Sequence, residues 1–319
     1  MIRIDHSPCD DYRDWLAASN AFLDSPAWGQ VLRTGLSAET RYVWDGVARV
    51  GHLLAIFRRG PFTIGYLGFP LCLDARANAT MYAMDDMIIA IGRCGDAPDI
   101  LRIPLSPFGA RHIAQVPHSA SPIVETCIPD LDEWSATAVA KRRHDLSAAR
   151  KRCEGLAPAS HLDGNELCAL YRSAVRRNGG AVRYGSAYFD ALARLDPSML
   201  AIHALKQGNV PVAMVVSATH GEHGCYLHGG TSPSAMATGA SDLLLANAIS
   251  AAQASGLRAY NFLASPPRQR GLVKYKEKWG GVTRTSATAQ IAFGLKGRLL
   301  AGLLAATRHA STLRAKASG

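Results

Sequence analysis

The chain has 319 residues, 48% hydrophobic and 19% charged, with a mean hydropathy of +0.01. Disordered, collagen-like and coiled-coil classes are excluded, and no stretch approaches the roughly 20 consecutive apolar residues of a membrane-spanning helix. The formal charge of +10 is unevenly spread: residues 1–140 hold 16 acids against 11 arginines and no lysine, whereas residues 257–319 hold 12 Lys/Arg against one acid, Glu277.

In chain order, Asp11–Leu23 and Pro26–Gly35 have helical spacing, with Ser25 placed as an N-cap and Pro26 in the first turn. Tyr42–Trp44, Val50–Phe57 and Phe62–Leu67 read as a three-stranded meander, punctuated by Asp45-Gly46 and Arg59-Gly60-Pro61. Ala77–Ile91 reads as a helix and Ile100–Pro104 as a strand. Asp130–Leu156 is a long polar stretch predicted to be helical, bearing Lys141-Arg142-Arg143 and Arg150-Lys151-Arg152. A second meander follows at Ile202–Lys206, Val210–Thr219 and Cys225–His228. Ser241–Ser255 then reads as a helix capped by Ser241 and stopped by Gly256, and Tyr260–Leu263 as a short strand. Leu295–Ala306 is a final apolar helix flanked by Lys296, Arg298 and Arg308, fit for packing or for a membrane surface.

The two meanders superpose at an offset of 162: Gly46 falls on Gly208, Val50 on Val212, Leu53 and Leu54 on Val215 and Val216, and Gly68 on Gly230. This register predicts an internal duplication, and the length agrees with two domains. Met1–His6 lacks the cationic and apolar segments of a secretory leader. Seven cysteines without a Cys-x-x-Cys pair read as free thiols of a reducing compartment, so a cytoplasmic location is expected. The histidines show no ligand spacing, and no metal site is expected.

Several segments, taken together and in order, carry a family resemblance. They are Ser25-Pro26-Ala27-Trp28, Lys141 to Arg150, Leu170-Tyr171-Arg172 with Tyr188-Phe189, and Val212-Ala213. Tyr226 to Ser232, Gly256 to Phe262, and Gly271 to Gly280 complete the set. They resemble the GNAT acyltransferase superfamily and, within it, the FemAB-like branch that includes CelD-like acetyltransferases. The resemblance implies an α/β (α+β) fold of two tandem GNAT-like domains, each a mixed, largely antiparallel sheet flanked by helices. The division expected is residues 1–140 and 141–319.

The resemblance further implies an N-acyltransferase that moves an acyl or aminoacyl group from an activated carrier to an amine. No tightly bound cofactor is implied; the co-substrate would be aminoacyl-tRNA or acyl-CoA, and the amine a small molecule or a cell-envelope or polysaccharide precursor. The carrier's phosphates would lie at Gly239, Ala240 and Ser241, although Met236 and Ser241 depart from the superfamily's acetyl-CoA pattern. Lys276, in Tyr275-Lys276-Glu277-Lys278-Trp279-Gly280, would lie near the substrate's anionic groups or the oxyanion. If that segment is extended, Lys274, Lys276 and Lys278 share one face. His228, ending the third strand of the second meander, has the unperturbed pKa of a general base, and Tyr226 lies on the same rim. Asn261 stands where family members often carry an acid and cannot serve as a base. Arg142, Arg143, Arg150, Lys151 and Arg152 form one phosphate-binding cluster, and Arg268, Arg270 and the 274–278 lysines another, which would suit tRNA. A reading from another class keeps the fold and uses only its basic surface, as a non-catalytic RNA- or membrane-associated protein.

Overall fold

A computed structural model describes residues 1–70, 79–105, 123–265 and 269–317; Cys72 and Arg268 lie outside these. The chain begins β1 (Ile2–Asp5), α1 (Asp10–Ser19), α2 (Pro26–Leu36), β2 (Glu39–Asp45), β3 (Val50–Arg59), β4 (Phe62–Leu67), α3 (Ala79–Arg93) and β5 (Ile100–Leu105). It continues through β6 (Ile123–Ile128), α4 (Ala140–Arg152), β7 (Ala157–Ala159), α5 (Gly164–Arg177), α6 (Ser186–Ala193), β8 (Leu200–Gln207), β9 (Val210–His220) and β10 (His223–Thr231). The last elements are α7 (Ala240–Ala254), β11 (Ala259–Ser265), α8 (Arg270–Lys278), β12 (Val282–Ala292) and α9 (Gly294–Ala317).

The elements form two compact units that interleave in sequence. One comprises Met1–Trp15, Ala38–Pro122 and Ser286–Gly319; the other comprises Leu16–Ser37 and Ile123–Thr285. A single cut at residue 140 does not describe this division. The segment holding α2 belongs with the second unit because α2 packs on α6, and the segment from Ser286 belongs with the first because β12 pairs with β5 from Ala287 to Ala292.

In the first unit the strands run β1-β2-β3-β4-β5-β12, antiparallel except for the parallel pair β4 and β5. Leu54, Ile56, Leu101 and Ile103 of the sheet meet Met84, Met87 and Ile91 of α3 to make its core. In the second unit the order is β6-β11-β10-β9-β8-β7, antiparallel except for β10 and β11. Here Leu244, Leu245, Ala248 and Ile249 of α7 pack on Val212, Ala213, Val215 and Tyr260, joined by Trp134 and Trp279.

The duplication predicted from the meanders reappears as topology. β2, β3, β4, α3 and β5 are matched in order by β8, β9, β10, α7 and β11, and in each set the last strand pairs parallel to the third. The ladders agree to within a residue: Tyr42 faces Leu53, and Ala204 faces Met214 where the offset would place 215. The β-bulge between Leu205 and Lys206 accompanies the slip.

Three local expectations are corrected. The segment 270–278 is the helix α8, not an extended edge; Leu272, Tyr275, Lys276 and Trp279 are spaced as one helical face. Ser241 lies inside α7, whose N-cap is Gly239, and the Ser241 hydroxyl bonds that of Thr231 instead. The helix expected over Asp130–Leu156 is present with narrower bounds, opening as a π-helical turn at Ser135–Val139 that runs into α4. Helices α5 and α6 were not predicted, although α5 opens on a capping box: Asp163 Oδ1 accepts from Glu166 N at 2.8 Å and Glu166 Oε2 from Asp163 N at 2.9 Å. The Ser25 cap of α2 is as expected, its Oγ accepting from Trp28 N at 3.1 Å.

Helices α2 and α6 approach closely because Gly35 has no side chain. A Cβ there would meet Tyr188 Cα at 2.5 Å. Gly35→Val is therefore expected to destabilise the protein by about 2 kcal/mol through overpacking, read as a lower urea midpoint at unchanged m-value. An unchanged midpoint would refute the close packing.

Candidate functional site

The site opens where two parallel strands part. β10 and β11 pair only from His223↔Ala259 to Cys225↔Asn261. Beyond that point each strand has a bulge: between Tyr226 and His228 in β10, and between Asn261 and Ala264 in β11, where Leu263 takes a φ of +58°. Bulges bend a strand and end regular pairing. A cleft of about 580 Å³ lies in the second unit, with β10 supplying Tyr226, Gly229, Gly230 and Thr231. Met214 and Val215 of β9 line it together with Ala174 and Arg177 of α5 and Asn178. Ser241 of α7, Gln269, Arg270 to Leu272, and Tyr275 complete the wall.

This lining combines apolar and cationic side chains. Among the described residues, Arg177 and Arg270 are its charged members, and no carboxylate or imidazole lines it. Arg177 Nη1 donates to the Thr231 carbonyl at 2.8 Å, which fixes the guanidinium at the rim. Asp242, one residue from the wall, is held by Lys278 Nζ at 2.5 Å. Tyr226 folds back over Gly229: a Cβ on that glycine would lie 1.8 Å from the phenol oxygen. Burial pushes the Tyr226 phenol up to about 12, so it keeps its proton at neutral pH.

Of the residues expected from the sequence, Tyr226, Ser241 and Arg270 meet in this cleft. The others sit elsewhere. Gly239 (φ +78°) faces α4, where a Cβ would meet Ala149 Cβ at 2.8 Å, so the helix crossing accounts for the glycine. Ala240 is buried at the start of α7. Lys274 is exposed on α8, and Lys278 forms the pair with Asp242. Arg152 donates from Nε to the Thr238 carbonyl at 3.2 Å, bringing one cation of α4 to the loop before α7.

His228 lies behind the cleft in a cage of aromatic rings. Tyr171, Tyr184, Tyr188 and Phe189 have neighbouring ring centroids 4.4 to 5.7 Å from one another or from the imidazole, and Tyr188 Oη shares a hydrogen bond of 2.9 Å with Nε2. Burial pulls the imidazole down to about 3. The ring is neutral at pH 7 and a far weaker base than an unperturbed histidine.

Lys276 is also inside. Its Nζ donates to the carbonyls of Phe262 at 2.7 Å and Leu263 at 3.0 Å and meets Ser265 Oγ at 2.6 Å. Those three acceptors span the bulge of β11, so the ammonium clamps the bend that parts the two strands. Burial lowers this lysine to about 7, against the opposing field of Glu125. Glu125 Oε1 accepts from Asn261 Nδ2 at 2.8 Å, and Asn261 Oδ1 accepts from Leu263 N at 2.7 Å, which ties the same bend from its other side.

Sequence reasoning missed Arg177, Asn178 and Gln269 as wall residues, and the role of Gly229. Arg177 ends α5, and without that helix no signal placed it beside β10.

Residues 140–277 match the family model described as an acetyltransferase (GNAT) domain. No curated protein matches the chain. Among solved structures, FemX aligns over 89% of this chain and 96% of its own, with a TM-score of 0.63 at 12% identity. L-PGS from Bacillus licheniformis aligns over 95% of this chain and 97% of its own, with a TM-score of 0.58 at 16% identity. A C-terminal domain assigned to a lysylphosphatidylglycerol synthetase of Agrobacterium fabrum aligns over 92% and 95%, with a TM-score of 0.58 at 14% identity. With the duplicated topology, these likenesses lead to one assignment: residues 140–277 match a GNAT acetyltransferase domain, and the chain has the fold of FemX and L-PGS.

Proposed function

We propose that the cleft between β10, α5 and α8 transfers an acyl or aminoacyl group from a phosphate-bearing carrier, aminoacyl-tRNA or acyl-CoA, to an amine. The observation that carries this reading is the lining itself: among the described residues, two arginines, no carboxylate and a protonated phenol beside apolar side chains. Arginine's fork binds phosphate or carboxylate through paired hydrogen bonds, so Arg177 and Arg270 would hold an anionic group of a substrate. The apolar lining residues Ala174, Met214, Val215 and Leu272 would help to exclude water from the carbonyl under attack. In the reaction the amine nitrogen bonds the acyl carbon, the carbonyl oxygen becomes an oxyanion, and the carrier's oxygen or sulfur departs. Tyr226 is placed to donate to that oxyanion or to the leaving atom. No lining residue is a base at neutral pH, so the attacking amine would enter neutral and lose its proton to the leaving group or to water. Cell-envelope precursors are the acceptor class that the FemX and L-PGS likenesses suggest.

Thermal shift tests the carrier without knowledge of the acceptor. Either acyl-CoA or aminoacyl-tRNA, at about 100 times its Kd, is expected to stabilise the protein by about 2.7 kcal/mol. The Arg177→Gln/Arg270→Gln double variant should lose most of that shift. No shift with either carrier would sink the proposal, as would a shift that the double variant retains in full.

A further inference from the structure

Three exposed leucines share one helix face. Leu295, Leu299 and Leu303 of α9 are 71%, 59% and 57% exposed, and a spacing of four residues keeps them on one side of the helix. A different face attaches α9 to the first unit. Leu300 is buried, and Gly297 lies where a Cβ would come 2.0 Å from the Asp99 carbonyl oxygen. Phe293 N donates to that same carbonyl at 2.9 Å, and Lys296 Nζ lies 3.4 Å from Asp99 Oδ2. The helix is thus apolar on two sides, and its own unit uses only one of them. Along its 24 residues the sequence places Lys296, Arg298, Arg308, Arg314 and Lys316 and no acid.

We propose that the exposed leucine face of α9 docks the protein on a lipid bilayer rich in anionic headgroups. Leucines enter the acyl boundary, and the positive charge of the helix sequence, without a single acid, favours anionic headgroups, which is the physical basis of interfacial helix binding. Two other occupants fit this surface less well. A second copy of the chain would bring like-charged helices together. A nucleic acid would answer the charge but leave the leucines in water. Charge and apolar surface are answered together only by a membrane surface. This inference stands apart from the transfer reaction, because none of its residues lines the cleft.

Sedimentation of the full chain with phosphatidylcholine vesicles, with and without about a third phosphatidylglycerol, tests it. Partitioning is expected to be at least about tenfold stronger on the anionic vesicles and to weaken with salt. The Leu295→Ser/Leu299→Ser/Leu303→Ser variant should partition about thirtyfold more weakly. Its circular dichroism and melting temperature should match the parent, because these side chains already face solvent. Leu299→Glu alone should weaken partitioning in the same direction. Equal partitioning of parent and triple variant, or none on either vesicle, would overturn the proposal. A dimer of the parent that the triple variant abolishes would also overturn it, by assigning the face to a second copy.

Discussion

Tyr226→Phe is expected to lower kcat by about 100- to 1000-fold and to leave KM within a factor of about two, which is the signature of a lost transition-state donor. The phenol lines the cleft and makes no hydrogen bond to any described residue. Its proton is secure, because burial raises it to about 12. Such a group has nothing to give up when charge appears on a reacting oxygen, so its contribution is greatest in the transition state. The same geometry makes a second variant informative. Gly229→Ala would place a methyl group 1.8 Å from the present position of the phenol oxygen, so the ring must move and kcat should fall with no change in the chemistry of residue 226. Single-turnover rates, measured with the carrier that thermal shift identifies, check both. A Tyr226→Phe rate within about threefold of the parent would remove the phenol from the mechanism.

Lys276→Met is expected to destabilise the protein by about 3 kcal/mol, because two carbonyls and a hydroxyl at the β11 bulge lose their shared donor while buried. The loss should depend on pH, and the sign follows from the direction of the shift. Lys276 is lowered to about 7 in the folded chain, whereas in the unfolded chain it titrates near its ordinary value of about 10.4. Between those values the unfolded state binds the extra proton, so the parent gains stability as pH rises from about 7 to about 10, by up to about 1.4 kcal/mol per pH unit from this group. Below about pH 7 both states hold the proton and the contribution is flat. The variant lacks this gain. Urea unfolding of both proteins at several pH values across that window should show a stability difference that widens upward, with other titrating groups cancelling in the comparison. A difference independent of pH would mean that the lysine stays charged throughout and that only the lost hydrogen bonds matter.

These two residues illustrate what each level of structure supplies. Tyr226 and Lys276 were both singled out from the chain, one at the rim of a strand and the other inside an aromatic and lysine motif. Only the fold separates their positions: Tyr226 faces the cleft, and Lys276 turns to the back of β11. His228 shows the limit most clearly. Its own neighbours, Gly229 and Gly230, suggest an open strand end, but its surroundings come from Tyr171, Tyr184, Tyr188 and Phe189 on or beside helices 39 to 57 residues earlier in the chain. Those helices were not predicted, so neither the cage nor the low basicity of the ring could be foreseen. Arg177 was overlooked for the same reason.

Local chemistry in the sequence determined the turns, the two meanders, the Ser25 cap and the uneven charge, because each depends on residues within a few positions of one another or on a simple count. The register of the repeat was likewise legible, since side-chain alternation and turn glycines recur at a fixed offset. Only the tertiary structure decided which cations are buried, which are paired and which line a cavity. Burial and electrostatic environment are set by segments distant in the chain, and a lysine's role follows from the dielectric and the acceptors around its nitrogen.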